Sequence, residues 1–132
     1  MEDSFACEAP KGDDPLEAEF IQSWDQVQQF YRSQSNSPLQ GIVLLFIAAL
    51  RRAGYDRKLR AGQSMYSLVL SRSRRTGLSA KQPFVQFEFH GVLMDVFSTD
   101  EKGQEEAVSG IPIVLFGPVK KALKRLSNRP LS

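Results

Sequence analysis

Leu16, Phe20, Trp24, Val27 and Tyr31 recur every three or four residues, the spacing that lines one face of a helix. Asp14 stands where a helix cap would and Pro15 takes the first helical position, so a first helix is predicted from Pro15. Ser33 to Ser37 reads as a polar connector. Ser37 then caps a second helix that starts at Pro38, whose apolar residues Leu39, Ile42, Val43, Leu45, Phe46 and Leu50 cover most of its circumference. That distribution predicts a helix in the middle of the fold. It ends at Arg51-Arg52-Ala53-Gly54-Tyr55, with cations in the last turn and a glycine for the left-handed residue beyond it.

A similar ending occurs at Arg74-Arg75-Thr76-Gly77-Leu78. The segment before it is ambiguous, because Met65, Tyr66, Leu68, Val69 and Leu70 satisfy both the strand and the helix period. Placed at helical steps, these five share one arc and Ser64, Ser67, Ser71, Arg74 and Arg75 share the other. With Gly77 as the stop, residues 64–76 are predicted as a third helix and Tyr55 to Gln63 as a basic loop.

From Pro83 to Thr99 the chain alternates. A two-residue turn at His90-Gly91 would pair Phe89 with Val92, Phe87 with Met94 and Val85 with Val96, all on one face. The other face would then pair Phe84 with Phe97, Gln86 with Asp95 and Glu88 with Leu93. Asp100 to Gly110 reads as a charged loop. Ile111 to Phe116 reads as a third strand, with Pro112 pointing to a sheet edge because proline lacks the ladder donor. Gly117-Pro118 opens a last helix with Val119, Ala122, Leu123 and Leu126 on one side and Lys120, Lys121, Lys124 and Arg125 on the other. The expected fold is α+β: three N-terminal helices, a small antiparallel sheet of about three strands built on a β-hairpin, and a C-terminal helix.

Composition adds three things. First, residues 1–14 hold Pro10, Gly12, five acids and one base but almost no periodic apolar residues, so they read as a flexible acidic arm before a single domain at 15–132. Second, the longest unbroken apolar run, Ile42 to Leu50, falls far short of the ~20 residues a membrane span needs. The acidic start likewise lacks the basic opening of a signal peptide, so a soluble, cytoplasmic protein with no membrane association is expected. Third, the net charge of +2 conceals segregation: residues 1–36 carry eight acids and two bases (−6), residues 37–75 one acid and eight bases (+7), and the rest seven bases and six acids (+1). Such asymmetry points either to a polyanion partner or to internal charge pairing.

Candidate chemistry is thin. One cysteine, Cys7, stands among acids that disfavour its thiolate. One cysteine and one histidine are too few for the usual His/Cys zinc sites, and no cofactor fingerprint, phosphate-binding glycine loop or nucleophile elbow occurs. His90 is the one side chain suited to general-base work near neutrality, but a hairpin turn explains it more simply. No enzyme is therefore expected, and no cofactor or metal. The expected function is a small binding or regulatory module acting through basic surfaces, with Arg51, Arg52, Arg57, Arg60, Ser67, Ser71, Arg74, Arg75, Lys120 and Lys124 as the anion- or partner-binding residues. The partner would be an unidentified protein, or a second copy paired through the sheet edge. The alternative is nucleic-acid binding by helix 64–76 and loop 55–63, where serine hydroxyls beside Arg74 and Arg75 suit a phosphate backbone.

Overall fold

The structure is a computed structural model that describes residues 15–34, 40–74, 82–99 and 102–131. Helix α1 (Pro15–Arg32) and helix α2 (Gln40–Arg52) precede a short 3₁₀ turn (Tyr55–Arg57) and five strands: β1 (Arg60–Ser64), β2 (Ser67–Ser71), β3 (Phe84–His90), β4 (Leu93–Thr99) and β5 (Glu105–Pro112). Helix α3 (Gly117–Ser127) follows. The strands form one antiparallel meander in the order β1-β2-β3-β4-β5. The α+β class holds, but the sheet has five strands instead of about three, and two helices precede it instead of three. The acidic arm, the cap at Ser37 with Pro38 and Leu39, Arg75 and the Gly77 stop lie outside the described residues.

The third helix is the main correction. Residues 60–71 are a hairpin whose two-residue turn, Met65-Tyr66, joins Ser64 to its partner Ser67. Periodicity cannot separate strand from helix over so short an apolar run, and long-range pairing decides it. β2 lies between β1 and β3, so its backbone groups are satisfied on both sides. Leu68 and Leu70 point into the core while Val69 faces the other way. Tyr55 to Gln63, expected as a loop, becomes the 3₁₀ turn and most of β1.

The β3–β4 hairpin keeps the predicted faces but not the predicted register. Phe87 pairs with Val96, Glu88 with Asp95, Phe89 with Met94 and His90 with Leu93, a slip of two residues that moves the turn to Gly91-Val92. A two-residue slip leaves every side chain on the same face, so the alternation does not report it. Gly91 has φ 62° and fills the first turn position, where a glycine-first two-residue turn requires positive φ. Its consequence is chemical: Glu88 and Asp95 now stand directly opposite each other.

β5 begins earlier than expected, in the stretch predicted as a charged loop, and ends near Pro112 at the sheet edge that proline implied. The pairing jumps from Met94–Ile111 to Val96–Val108, leaving Ser109 and Gly110 opposite Asp95 in a β-bulge. Gly110 has φ 67° there, in the region L side chains avoid.

The core joins Trp24, Val27 and Tyr31 of α1, Val43, Phe46, Ile47 and Leu50 of α2, and Val119, Leu123 and Leu126 of α3 to the inward residues Leu68, Leu70, Val85, Phe87, Phe89, Met94 and Val96. Those strand residues share one face, so all three helices cover the same side of the sheet. α2 therefore has a solvent side, and Leu45 is 74 % exposed where the sequence pattern put it inside. α1 is fastened to β1 by polar groups as well as by area. Trp24 Nε1 donates to Leu59 O at 2.9 Å, and Tyr31 Oη donates to Tyr66 O at 2.8 Å. Ser23 Oγ donates to Phe20 O and accepts from the Ala61 N–H, which occupies part of the outer rim of β1. Burial, with a lesser effect from Tyr66, holds the Tyr31 phenol protonated well above its ordinary range. Among the described residues no helix is long and apolar enough to cross a membrane.

Candidate anion-binding site

Alternating strand directions give the sheet two unlike ends. One carries the turns Met65-Tyr66 and Gly91-Val92; the other collects the start of β1, the end of β2, the start of β3 and the end of β4. Positive side chains gather at the second. The residue that assembles them is Arg72, just beyond β2: its Nε donates to Arg129 O at 2.9 Å and its Nη1 to Lys58 O at 2.6 Å. One guanidinium thus ties together the approach to β1, the exit of β2 and the tail after α3. Partial burial lowers the pKa of Arg72 from its ordinary value, yet a guanidinium remains charged at neutral pH.

Arg60 does similar work one strand pair away. It is 7 % exposed, donates from Nε to Ser73 O at 3.0 Å and from Nη2 to Arg74 O at 2.9 Å, and its guanidinium lies 5.3 Å from the centre of the Phe20 ring. Among the described residues its carboxylate contact is Glu19, at 3.1 Å. Arg60 is consequently a brace that fixes the path of residues 73–74 and so the placement of Arg74, which is exposed. Lys58 is also exposed, with its ammonium 5.9 Å from the centre of the Tyr55 ring. Among the described residues no carboxylate forms an ion pair with Lys58, Arg72 or Arg74.

Beside this group a cleft of about 270 Å³ is lined by Gln82, Pro83, Phe84, Thr99, Gly103, Glu105 and Arg129. Its Pro83 and Phe84 supply apolar wall next to the cationic tail.

The remaining sequence-selected residues go elsewhere. Arg51 is taken up internally: it contacts Asp25 at 2.9 Å, Asp56 at 3.1 Å and the Gln28 amide oxygen. Burial by itself would lower its pKa, but the hydrogen bonds and charges of the two aspartates outweigh that and hold it above its ordinary value. Arg52 and Arg57 are exposed, on the last turn of α2 and in the 3₁₀ turn. Lys120 and Lys124 lie on the exposed side of α3. Ser71 is buried and accepts from the Ser73 N–H at 3.4 Å, while Ser67 closes the first hairpin, so the serines do not share a face with the arginines as a helix would have arranged them. Lys58 and Arg72 fall inside the segments 55–63 and 64–76 of the nucleic-acid alternative, but neither they nor Arg129 stand out individually in the sequence, because their proximity depends on strand pairing and on the return of the chain after α3.

Comparison of the chain with protein-family models, with curated proteins and with solved structures finds no match in any of the three.

Proposed function

We propose that the protein is a non-enzymatic binding module that takes an acidic segment of a partner protein at the sheet end formed by Lys58, Arg72, Arg74 and Arg129. The observation that carries this reading is the bonding of Arg72. It spends donors on two backbone carbonyls, which brings the main chain at Lys58 and Arg129 beside it, and among the described residues no carboxylate forms an ion pair with Lys58, Arg72 or Arg74. Clustering like charge works against folding, and its natural compensation is an external anion. The neighbouring cleft, whose mostly polar lining includes both Glu105 and Arg129, adds apolar contact from Pro83 and Phe84.

A polynucleotide is the second reading, favoured by the sheet face opposite the helices. Phe97 lies across from Gln86 there and Phe84 one pair further along, both partly exposed and spaced as diagonal neighbours on which bases could stack. Glu88 and Asp95 on the same face oppose a phosphate chain running its full length, which places this reading second.

Fluorescence anisotropy with an acidic peptide and with a mixed-sequence single-stranded RNA, at about 50 and about 200 mM salt, separates the two. The expected result is peptide binding that weakens with salt and falls at least ~10-fold in the double variant Lys58→Glu, Arg74→Glu, a loss of about 1.4 kcal/mol. RNA binding with a steep salt slope and loss on Phe97→Ala would establish the second reading instead. No binding of either probe at low salt would overturn both.

A further inference from the structure

We propose that Glu88, His90 and Asp95, at the turn end of the β3–β4 hairpin, form a binding site for a divalent transition-metal ion of the Zn²⁺ type. The three residues share the sheet face away from the helices: Glu88 and Asp95 are direct cross-strand partners, and His90 follows Glu88 by one alternation. Two carboxylates directly opposite each other repel, so this pairing calls for a cation between them. His90 Nε2 lies 3.2 Å from Asp95 Oδ2 and 3.8 Å from Glu88 Oε1, and one donor atom from each residue falls within 4.8 Å of the others.

Donors from outside the trio aim both carboxylates. Gln86 Nε2 donates to Glu88 Oε2 at 3.4 Å, leaving Oε1 toward the histidine. The Gly110 N–H donates to Asp95 Oδ1 at 2.9 Å, leaving Oδ2 toward the same point. Each acid therefore has one oxygen held by a neighbour and one turned inward, the arrangement by which surrounding hydrogen bonds orient metal ligands. The Gly110 donor exists in that position because of the bulge in β5, which sets two residues opposite Asp95.

The spacing suits the ion. Tetrahedral coordination with bonds of about 2.0–2.1 Å requires donor atoms about 3.3 Å apart. The two separations to the imidazole bracket that value, so binding needs only small adjustments, chiefly of the exposed His90 ring. One imidazole with two carboxylates suits Zn²⁺ or a neighbouring transition ion better than Mg²⁺ or Ca²⁺, which take oxygen ligands. With three protein ligands and a half-exposed position, at least one coordination site is left to water. One histidine and one cysteine are too few for the usual His/Cys zinc site, but here two carboxylates complete the ligand set.

The test uses the full chain carrying Cys7→Ser, so that the thiol does not compete, titrated with Zn²⁺ alone by calorimetry. One ion should bind per chain with Kd of about 1 µM or below. Glu88→Gln and His90→Asn should each weaken binding at least ~10-fold, whereas Glu105→Gln should leave it unchanged. His90 is the only histidine, so its ring proton resonances must shift on Zn²⁺ addition if it ligates the ion. Binding that survives both variants, an unmoved imidazole signal, or no saturable binding below about 1 mM would each overturn the site. Tighter binding of Mg²⁺ than of Zn²⁺ would overturn the ion assignment.

Discussion

The two ends of the sheet handle charge in opposite ways. At the end built around Arg72, like charges are drawn together and anchored to backbone carbonyls, with no acid pairing to Lys58, Arg72 or Arg74 among the described residues. At the turn end, the carboxylates of Glu88 and Asp95 converge on the His90 imidazole, and their outer oxygens are bonded to Gln86 and Gly110. Both ends are fixed by hydrogen bonds to the main chain or to neighbouring side chains, so the same frame presents a cationic ledge at one end and a donor cluster at the other. The lesson is that net charge says little about a surface: a total of +2 accommodates both.

Both ends depend on a common frame, and the most damaging change should be to that frame. Trp24→Ala removes a fully buried indole and leaves Leu59 O without its donor, so a loss of about 3–5 kcal/mol is expected in urea unfolding, affecting both ends together. A variant that weakened only one end would show that the ends fold separately.

Arg72→Met should break the asymmetry more selectively. It keeps apolar bulk but frees the carbonyls of Lys58 and Arg129, for an expected loss of about 2 kcal/mol. Hydrogen exchange should quicken at residues 58–60 and at Arg129 and Leu131 and stay unchanged at 88–95; uniform quickening would refute the local role.

At the other end, Gly110→Ala tests the bulge. No atom lies within 4 Å of the added Cβ, so the expected cost of about 1–2 kcal/mol is purely that of positive φ in an L residue. An unchanged unfolding midpoint would mean that the bulge relaxes. The smallest effect is expected from Glu88→Gln in the presence of chelator at neutral pH. Relief of repulsion from Asp95 should stabilise the protein by about 0.5 kcal/mol, and destabilisation would show that the carboxylate contributes more through Gln86 and His90 than it costs.

What was legible in the sequence follows the range of the interactions concerned. α1 and α3 were readable because Phe20, Trp24, Val27 and Tyr31, and Val119, Ala122, Leu123 and Leu126, repeat at the helical period and all turn inward. The faces of β3 and β4 were readable for the same local reason. Residues 64–71 were not, since Leu68, Val69 and Leu70 fit both periods and only their partners on β1 and β3 decide between them. The hairpin register escaped because a slip of two preserves alternation, and with it went the meeting of Glu88 and Asp95. Arg51 and Arg60 looked like surface charge, yet each is committed to internal contacts that no sequence window contains. Arg129 reaches the ledge only because the tail after α3 comes back to where β2 ends.

The bulge at Gly110 has an effect beyond aiming Asp95. An incoming strand seeking to zip onto β5 would find the rungs in step up to Val108 and out of step beyond it, with Pro112 removing a further rung and Glu105 and Glu106 repelling an acidic newcomer. Growth of the ladder past β5 into a fibre is thus checked by the kink together with a missing donor and two like charges.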